Sequence, residues 1–447
     1  MRKEAASLSI PLNGRRSLRP PTVIGRSHRQ RKRVAMKIAY VVWLENLGSP
    51  ILTGQVVEVL EEMGRKSPGF RIILLAFQPL YRIIFRRNQV AAVRSRLRAS
   101  GIEVKIVPCL AIPQIDLLRA RWYTMPLIII QSLPALLVFT LLQRIDILHC
   151  RSYAPAWAAS ILKDLLPARM VFDPRSDFPE ENVTAGKWSA GSLTDRAWRR
   201  LERRLLQKAD ATIAITDSYV EHFRRVSHEA RFHLVPNNVD TARFGRDIAF
   251  RETFRQTHGL GKHTLVFCYN GSMGTHWNSP VPYADFILRL RDLDIPHWFL
   301  FVTPDTGAVE RAMKERQLSP EEYGIVSCGF DEVPKYLSVA DIGTMFVTQA
   351  RIALGIKSVE CLAAGLPMIV NEKVAGAAEV VTKYGVGLVV AEARAADLAA
   401  IRNLAAKKEE MYHACRQLAE ARFSTTRVAE GYLQLYGSLA LQQLQNG

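Results

Sequence analysis

Two charged residues in the stretch from Ala353 to Pro367 have the spacing of a phosphate-binding site. Lys357 and Glu360 lie three residues apart in a predicted loop and short helix that Gly365 ends, so their side chains share one helical face. The start of that helix, next to Gly355, carries free N–H groups and the positive end of the helix dipole, which with Lys357 suit a diphosphate. Glu360 could accept hydrogen bonds from sugar hydroxyls, so the pattern suits a nucleotide-sugar site. A surface ion pair, worth about a few tenths of a kcal/mol, is the alternative interpretation.

A glycine turn earlier in the chain is a second candidate for phosphate binding. Tyr269 and Asn270 end a predicted strand, and Gly271 and Ser272 begin the turn that follows. Backbone N–H groups can approach a phosphate closely in such a turn. An ordinary strand-to-helix turn explains these residues equally well.

Charged side chains also follow two predicted strands in the first half of the chain. His149 and Arg151 end one strand, and Arg175 lies in an acidic loop after the next one. Arg175 could hold an anionic group, and Glu180 or Glu181 could position or deprotonate an acceptor hydroxyl. A lone histidine at such a place is more often structural, and an acidic loop is also typical of solvated surface. Loops at this edge of a sheet nevertheless often carry binding sites.

Apolar runs alternate with helical patterns from Met36 onward, which predicts parallel sheets covered by helices on both faces. The predicted strands are Ile38–Val42, Arg71–Ala76, Glu103–Val107, Ile145–His149, Met170–Asp173, Thr212–Thr216, Phe232–Val235, Leu265–Asn270, Trp298–Thr303, Gly324–Cys328, Ile342–Val347, Met368–Val370 and Gly387–Val390. We expect a first doubly wound, Rossmann-like domain at residues 36–235, a second at 236–425 and a last helix within 426–447.

The net charge of +18 is unevenly distributed along the 447 residues. About half of it lies before Met36, in a segment with prolines and glycines and no hydrophobic periodicity, so residues 1–35 are predicted to be a disordered basic extension. That segment lacks the apolar core of a signal peptide, and Met36 is a candidate for the true start. The remaining positive charge favours an anionic membrane surface or acidic substrates as partners. Basic and aromatic residues do not interleave as they do in single-strand binders, which argues against nucleic acid.

Common cofactor and metal motifs do not occur in the sequence. It contains no Gly-x-Gly-x-x-Gly motif, which argues against a dinucleotide enzyme, and residues 259–264 lack Walker A spacing. The six cysteines are scattered without a Cys-x-x-Cys pair, so neither a zinc site nor a disulfide framework is predicted. A reducing cytosol is therefore the expected compartment.

Residues 124–142 form an uncharged stretch that is long enough to span a membrane. Pro126, Gln131 and Pro134 interrupt it, and it lies between two strands of one predicted sheet. We therefore favour a buried or membrane-contacting helix pair over a span. The basic and aromatic residues that flank the stretch fit a protein lying on a membrane face: Arg119, Arg121, Trp122, Tyr123 and Arg144.

Segments in both halves of the chain resemble the retaining, family-4 type of GT-B glycosyltransferases. The stretch from Leu201 to Thr216 is similar to the family's helix and strand before the interdomain linker. Val235 to Phe244 resembles the linker signature, with Asn238 where glycine is usual, and Tyr336 to Ile342 and Ala353 to Val370 complete the pattern. The resemblance covers nearly the whole chain after the basic extension.

The resemblance implies two Rossmann-like domains with the active site in a deep cleft between them. It also implies that the last helix packs back on the first domain. The donor would be a nucleoside-diphosphate sugar, bound mainly by the second domain without a metal or another cofactor. The sugar would be transferred with retention of its anomeric configuration.

The sequence departs from the family's pattern at two places. Many members carry two glutamates eight residues apart, and Glu360 matches the second, but Ile352 occupies the first position and cannot hydrogen-bond a sugar. A common Arg and Lys pair after the second domain's first strand is replaced by Ser272, Trp277 and Asn278.

Some members of the family instead bind the diphosphate with a lysine three residues before the glutamate, and Lys357 matches that variant. Those members also resemble this chain from Asp173 to Arg175 and at Glu180 and Glu181. By this resemblance, donor phosphate binding depends on Lys357, the helix start and Arg175.

The sequence thus predicts a glycosyltransferase that adds a sugar to a lipid-linked or polysaccharide acceptor for cell-surface glycans. It would be cytoplasmic and peripheral on the inner face of the plasma membrane. The expected donor-binding residues are Lys357, Glu360, Gly355, Gly271 and Ser272, and the expected acceptor-side and catalytic residues are Arg175, Glu180, His149 and Arg151. A GT-B epimerase or phosphorylase-like enzyme, and a non-catalytic anion-binding scaffold of the same fold, are the alternatives.

Overall fold

The computed structural model describes residues 36–67, 69–109, 124–274 and 278–446. The predicted basic extension at residues 1–35 lies outside the described residues, as do Arg119, Arg121, Trp122, Tyr123 and Trp277.

The first domain is built on a seven-stranded parallel sheet, in agreement with the predicted fold class. Its strands are β1 (Met36–Trp43), β2 (Phe70–Pro79), β3 (Glu103–Cys109), β4 (Ile147–Arg151), β5 (Arg169–Asp173), β6 (Ala211–Ala214) and β7 (Phe232–Leu234). They lie in the order β3-β2-β1-β4-β5-β6-β7. The chain winds in opposite directions on the two sides of β1 and β4, so the crevice for a ligand opens between the carboxyl ends of these two strands.

Helices cover both faces of this sheet, because strands such as β1 are apolar on both sides. The helices are α1 (Pro50–Leu52), α2 (Glu58–Lys66), α3 (Leu80–Phe85), α4 (Arg87–Ala99), α5 (Thr124–Gln143), α6 (Tyr153–Leu162), α7 (Phe178–Thr184), α8 (Leu193–Lys208) and α9 (Asp217–Val226). A turn of π-helix, Thr53–Val57, joins α1 to α2.

The second domain repeats this design with a six-stranded sheet. Its strands are β8 (Leu265–Asn270), β9 (His297–Val302), β10 (Tyr323–Val326), β11 (Ile342–Met345), β12 (Met368–Asn371) and β13 (Gly387–Val390). The order β10-β9-β8-β11-β12-β13 places the change of winding direction between β8 and β11. The turn after β8, which holds Gly271, therefore lies at the expected ligand crevice.

The second domain's sheet also has helices on both faces. They are α10 (Ile248–Thr257), α11 (Val281–Leu290), α12 (Thr306–Glu315), α13 (Val333–Val339), α14 (Ile356–Ala363), α15 (Ala375–Tyr384), α16 (Leu398–Ala406) and α17 (Lys408–Leu418), with a short 3₁₀ turn at Ala393–Ala395 and a π turn at Ala419–Phe423.

The last helix, α18 (Thr425–Asn446), packs against α2 of the first domain. Val428, Tyr432, Leu435, Tyr436 and Leu439 are buried, and their spacing of three or four residues forms one apolar stripe. This stripe joins the core cluster of the first domain. The helix thus ties the end of the chain to its first sheet.

The uncharged stretch forms one helix, α5, with Pro134 inside it, and not the predicted pair of helices. Within the part of the chain that the structure describes, no helix is both long enough and apolar enough to cross a membrane.

Candidate active site

A cleft with a volume of about 670 Å³ lies between the two sheets, at the carboxyl ends of strands from both domains. The first domain contributes the turn after β1, including Gln55 and Glu58, and Arg175 from the loop after β5. The second domain contributes the turn after β8 and the start of α14. The cleft therefore occupies the crevices that the two strand orders create.

Lys357 and Glu360 form an ion pair inside this cleft. The Lys357 Nζ atom lies 3.0 Å from Glu360 Oε2, and Asn270 Nδ2 donates a 2.7 Å hydrogen bond to the same oxygen. Glu360 is only 2% exposed, whereas about a third of the Lys357 side chain remains accessible. The ion pair therefore exists, and it lines the cleft instead of an outer surface.

Gly355 and Gly271 bring backbone close to the lysine. Gly355 is the N-cap of α14, whose start has no side-chain cap within the described residues. Gly271 has a φ of 138°, and a Cβ atom added there would lie 3.4 Å from Lys357 Cγ and 3.0 Å from Tyr269 Oη. The turn after β8 and the start of α14 therefore meet beside Lys357, and Ser272 continues the lining of the cleft.

Arg175 lines the cleft from the first domain and is held by three partners. Its Nε lies 3.0 Å from Asp173 Oδ2, Nη1 donates to Asn237 Oδ1 at 3.1 Å, and Nη2 donates to Tyr432 Oη at 2.6 Å. Burial acts to raise the pKa of Asp173, but the charges of Arg175 and Arg151 and the contact with His149 together outweigh it, and the pKa falls to about 2. The pair is therefore ionised, and Arg175 has a φ of 62°, which only a well-determined loop maintains.

His149 does not line the cleft, so its predicted place on the acceptor side is wrong. The ring is fully buried and stacks on Tyr40 at 4.3 Å between centroids. Its Nε2 lies 3.3 Å from Asp173 Oδ2, and its Nδ1 is 2.9 Å from Tyr436 Oη. Burial lowers the pKa of His149, so the neutral imidazole joins the first sheet to α18.

Arg151 also lies behind the cleft wall and does not face an acceptor directly. Its Nε donates to both carboxylate oxygens of Glu45, at 3.0 and 3.1 Å, and its Nη2 donates to Gln55 Oε1. Gln55 itself lines the cleft. The structure therefore corrects the direct role predicted for Arg151, because Gln55 lies between its guanidinium and the cleft.

Glu180 is not among the residues that line the cleft, where its predicted catalytic role would require it. Its side chain is 49% exposed and accepts a 2.7 Å hydrogen bond from Arg199 on α8. Glu181 instead accepts a 2.5 Å hydrogen bond from Arg351, which lines the cleft from the second domain. The acidic loop thus contributes a contact between the domains.

Ile352, at the position of the family's first glutamate, packs between the domains. Together with Ala353 it lies against the core cluster of the first domain. The apolar side chain thus contributes to the interdomain contact.

The linker after β7 joins the loops of both domains. Asn237 Nδ2 donates to the carbonyl oxygen of Leu354 at 2.6 Å, and Asn238 Nδ2 donates to that of Gly54 at 2.7 Å. The unusual Asn238 of the linker signature therefore fixes the turn after β1.

Cations from both domains line the cleft: Lys357, Arg175, Arg243 and Arg351. Within the described ranges, no group of three or more His, Cys, Asp and Glu side chains is arranged to hold a metal ion. Sequence reasoning missed Gln55, Glu58 and Arg351. Gln55 lies in the π turn Thr53–Val57 and Glu58 follows it, and hydrophobic periodicity does not reveal such a turn.

The chain matches two protein-family models in the order of its two domains. Residues 69–238 match the glycosyl transferase 4-like domain, and residues 322–422 match the glycosyl transferases group 1 model. Comparison with curated protein sequences gave no match.

Solved glycosyltransferases share the fold at low sequence identity. A glycosyltransferase from Rickettsia africae is 15% identical with a TM-score of 0.65, over 91% of this chain and 98% of that one. HepE from Anabaena in complex with UDP and glucose is 14% identical with a TM-score of 0.61, over 90% and 100%. WaaG, a glycosyltransferase involved in lipopolysaccharide biosynthesis, is 14% identical with a TM-score of 0.57, over 89% and 99%. With two glycosyltransferase models matched in order on two facing Rossmann-like domains, the chain belongs to the GT-B glycosyltransferases of the family-4 type.

Proposed function

We propose that this glycosyltransferase moves a sugar from a nucleoside-diphosphate sugar to a lipid-linked or polysaccharide acceptor in cell-surface glycan synthesis, with retention of the anomeric configuration. The observation that carries the proposal is the Lys357–Glu360 pair, which lies at the uncapped start of α14 in the cleft between the domains.

The donor diphosphate would lie between Lys357, the first N–H groups of α14 and the turn at Gly271. The positive charge and the helix dipole favour an anion at this place, and glycine allows the backbone to come close. Glu360, oriented by Asn270, would accept hydrogen bonds from the ribose hydroxyls. Solved HepE complexes with UDP and glucose support this choice of donor class.

The transfer would proceed through an oxocarbenium-like state. The bond between the anomeric carbon and the diphosphate oxygen breaks, and the acceptor oxygen forms the new bond on the same face of the sugar. The proton of the acceptor hydroxyl passes to the departing diphosphate oxygen. Lys357 and the start of α14 would stabilise the charge on the departing diphosphate, and this arrangement would operate without a metal ion. Arg175 would hold negative charge on the opposite wall of the cleft.

Exposed apolar side chains of the first domain support a peripheral position on an anionic membrane. Ile130, Val138, Leu141 and Leu142 of α5 are exposed along one side of that helix, and Phe85 of α3 is 84% exposed. Basic residues follow α3 directly, as expected at a lipid surface. The likeness to WaaG, described as acting in lipopolysaccharide biosynthesis, favours a lipid-linked acceptor and the cytoplasmic membrane face.

A panel of nucleotide sugars, scored for the released nucleoside diphosphate with and without EDTA, tests the proposal. We expect turnover with at least one donor, unchanged by EDTA, and a product whose anomeric proton coupling matches that of the donor. Absence of turnover with every donor, inversion of the anomeric configuration, or loss of activity in EDTA would each contradict a stated part of the proposal. Flotation with anionic vesicles tests the membrane contact, which Val138→Asp with Leu142→Asp should abolish.

A further inference from the structure

The π turn after β1 places two polar side chains on the first domain's wall of the cleft. Gln55 lies in the turn Thr53–Val57 and Glu58 follows it, while Val56 and Val57 between them are buried. Both polar side chains line the cleft. Turns of π-helix inside α-helices frequently occur at functional sites, and this one lies at the crevice between β1 and β4.

Arg151 determines which way the Gln55 amide faces. The guanidinium Nε donates to both carboxylate oxygens of Glu45, and Nη2 donates to Gln55 Oε1. A guanidinium has only donors, so it can bind only the oxygen of the amide. The Gln55 Nε2 group is thereby turned away from Arg151, and it makes no hydrogen bond to another described residue.

Glu58 presents a carboxylate with few partners. Its side chain is 16% exposed, and its nearest cation, Arg96 Nη2, lies 4.0 Å away. Arg96 is already held by Glu61, with hydrogen bonds of 2.6 and 2.8 Å. Burial raises the pKa of Glu58, and the Asp240 charge adds to this effect. A ligand that donates a hydrogen bond would therefore satisfy this carboxylate.

We propose that Gln55 and Glu58 form the binding subsite for the acceptor sugar, and that Arg151 is its positioning residue. Gln55 Nε2 would donate to one hydroxyl oxygen of the acceptor, and Glu58 would accept from a neighbouring hydroxyl. A donor beside an acceptor matches the vicinal hydroxyls of a neutral sugar, whereas the Glu58 charge would repel a phosphate. This subsite rests on the proposed transfer to a glycan acceptor, and its two residues would select the acceptor sugar.

Octyl glycosides of glucose, galactose, mannose and N-acetylglucosamine serve as acceptor probes, with the donor that the nucleotide-sugar panel identifies. We expect Gln55→Ala and Glu58→Gln each to lower the acceptor kcat/KM about tenfold or more. The first removes a hydrogen bond to the sugar, and the second replaces a charged acceptor by a neutral amide oxygen. Donor hydrolysis without acceptor, and nucleoside diphosphate affinity by calorimetry, should stay within about twofold of the unmodified enzyme by the same reasoning. Glu310→Gln, an exposed carboxylate on α12, is the control and should change neither quantity.

Arg151→Met tests the positioning role. Alone it should raise the acceptor KM, and in the Gln55→Ala background it should add no further loss, because the amide it orients is absent. Additive losses would mean that Arg151 acts through the fold alone and would overturn its positioning role. If Arg151→Met fails to fold, Gln55→Ala and Glu58→Gln still decide the proposal of the subsite.

A direct measurement of acceptor binding distinguishes failure of the subsite from failure of the proposed transfer reaction. Saturation-transfer NMR with the same octyl glycosides measures acceptor binding even if no donor is turned over. Binding of at least one glycoside that Glu58→Gln and Gln55→Ala weaken would support the subsite. The subsite would be overturned if the variants bind the glycosides as well as the unmodified enzyme does, or if none of the four glycosides binds. It would also be overturned if donor hydrolysis falls as much as acceptor kcat/KM. Lys357→Ala should lower the rate of transfer by about 10²–10³-fold and leave glycoside binding intact.

Discussion

Tyr432 Oη accepts a 2.6 Å hydrogen bond from Arg175 Nη2, which joins the last helix to a loop at the cleft. The same hydroxyl lies 3.4 Å from Asp173 Oδ2. The end of the chain therefore contributes directly to holding a cationic residue of the site. Through this contact the position of α18 on the first domain supports Arg175 at the cleft wall.

Tyr432→Phe should destabilise the protein by about 1–3 kcal/mol, because Arg175 loses a partner at a buried site. Tyr336→Phe is the matched control, since the Tyr336 hydroxyl makes no hydrogen bond to another described residue, and its effect should be below about 0.5 kcal/mol. Urea unfolding followed by tryptophan fluorescence measures both. Equal effects of the two substitutions would show that the Arg175 contact contributes nothing to stability.

Lys357→Ala should lower kcat by about 10²–10³-fold, because the departing diphosphate loses a charged donor that acts in the transition state. Lys314→Ala, at an exposed lysine of α12, is the control. Steady-state release of nucleoside diphosphate gives both rates. A Lys357→Ala enzyme with an unchanged kcat would remove Lys357 from the donor site.

The strands were predictable because parallel strands buried on both faces appear as continuous apolar runs. Each predicted strand overlaps an observed one, and the ends differ by a few residues, as for Ile145–His149 against β4. The start of α2 was harder to predict. The π turn at Thr53–Val57 breaks the helical period, so the residues it turns toward the cleft give no periodic signal.

The site was only partly predictable. The end of a strand identifies an edge of the sheet, but it does not tell which side chains face the cleft and which enter the core. His149 and Arg151 both lie at the carboxyl end of β4, yet their side chains enter a buried layer, beneath α18 for His149 and behind Gln55 for Arg151. Lys357 and Glu360 were identified because helix spacing alone fixes their common face. The packing of Ile352 between domains depends on tertiary contacts that one segment cannot reveal.

Glu202→Gln should change how stability depends on pH. Burial raises the pKa of Glu202 to about 7, with a further contribution from the Asp177 charge, while the Tyr153 hydrogen bond, His222 and Arg199 act in the opposite direction. A raised folded-state pKa means that the stabilisation is complete below pH 4.5, the ordinary pKa, and is lost as the pH rises through about 7.

The unmodified protein should therefore lose up to about 3 kcal/mol relative to Glu202→Gln between pH 5 and pH 8, at about 1.4 kcal/mol per pKa unit. Urea titrations of both proteins at several pH values measure the difference, and Glu310→Gln serves as the control. Parallel stability curves for the unmodified protein and Glu202→Gln would show that Glu202 titrates normally.

Glu379 of α15 binds the start of α9 across the domain boundary. Its carboxylate accepts hydrogen bonds from the backbone N–H groups of Asp217 and Ser218, at 3.1 and 2.7 Å, and from Ser218 Oγ. A carboxylate at a helix N-terminus is favoured by the free N–H groups and the dipole. Lys383 pairs with Asp217 beside it, so this contact holds the two domains together at one side of the cleft.

Glu379→Ala should loosen the arrangement of the domains and lower donor kcat/KM, because both walls of the cleft must be in place for binding. We expect a reduction of about tenfold, which corresponds to the loss of about 1–2 kcal/mol of charge-assisted hydrogen bonding. Small-angle scattering should show a larger radius of gyration without ligand, and nucleoside diphosphate should restore the unmodified value by closing the cleft. Glu372→Ala, an exposed carboxylate after β12, is the control. If Glu379→Ala changes neither the radius nor kcat/KM, the other interdomain contacts, such as Arg351 with Glu181, are sufficient to hold the cleft closed.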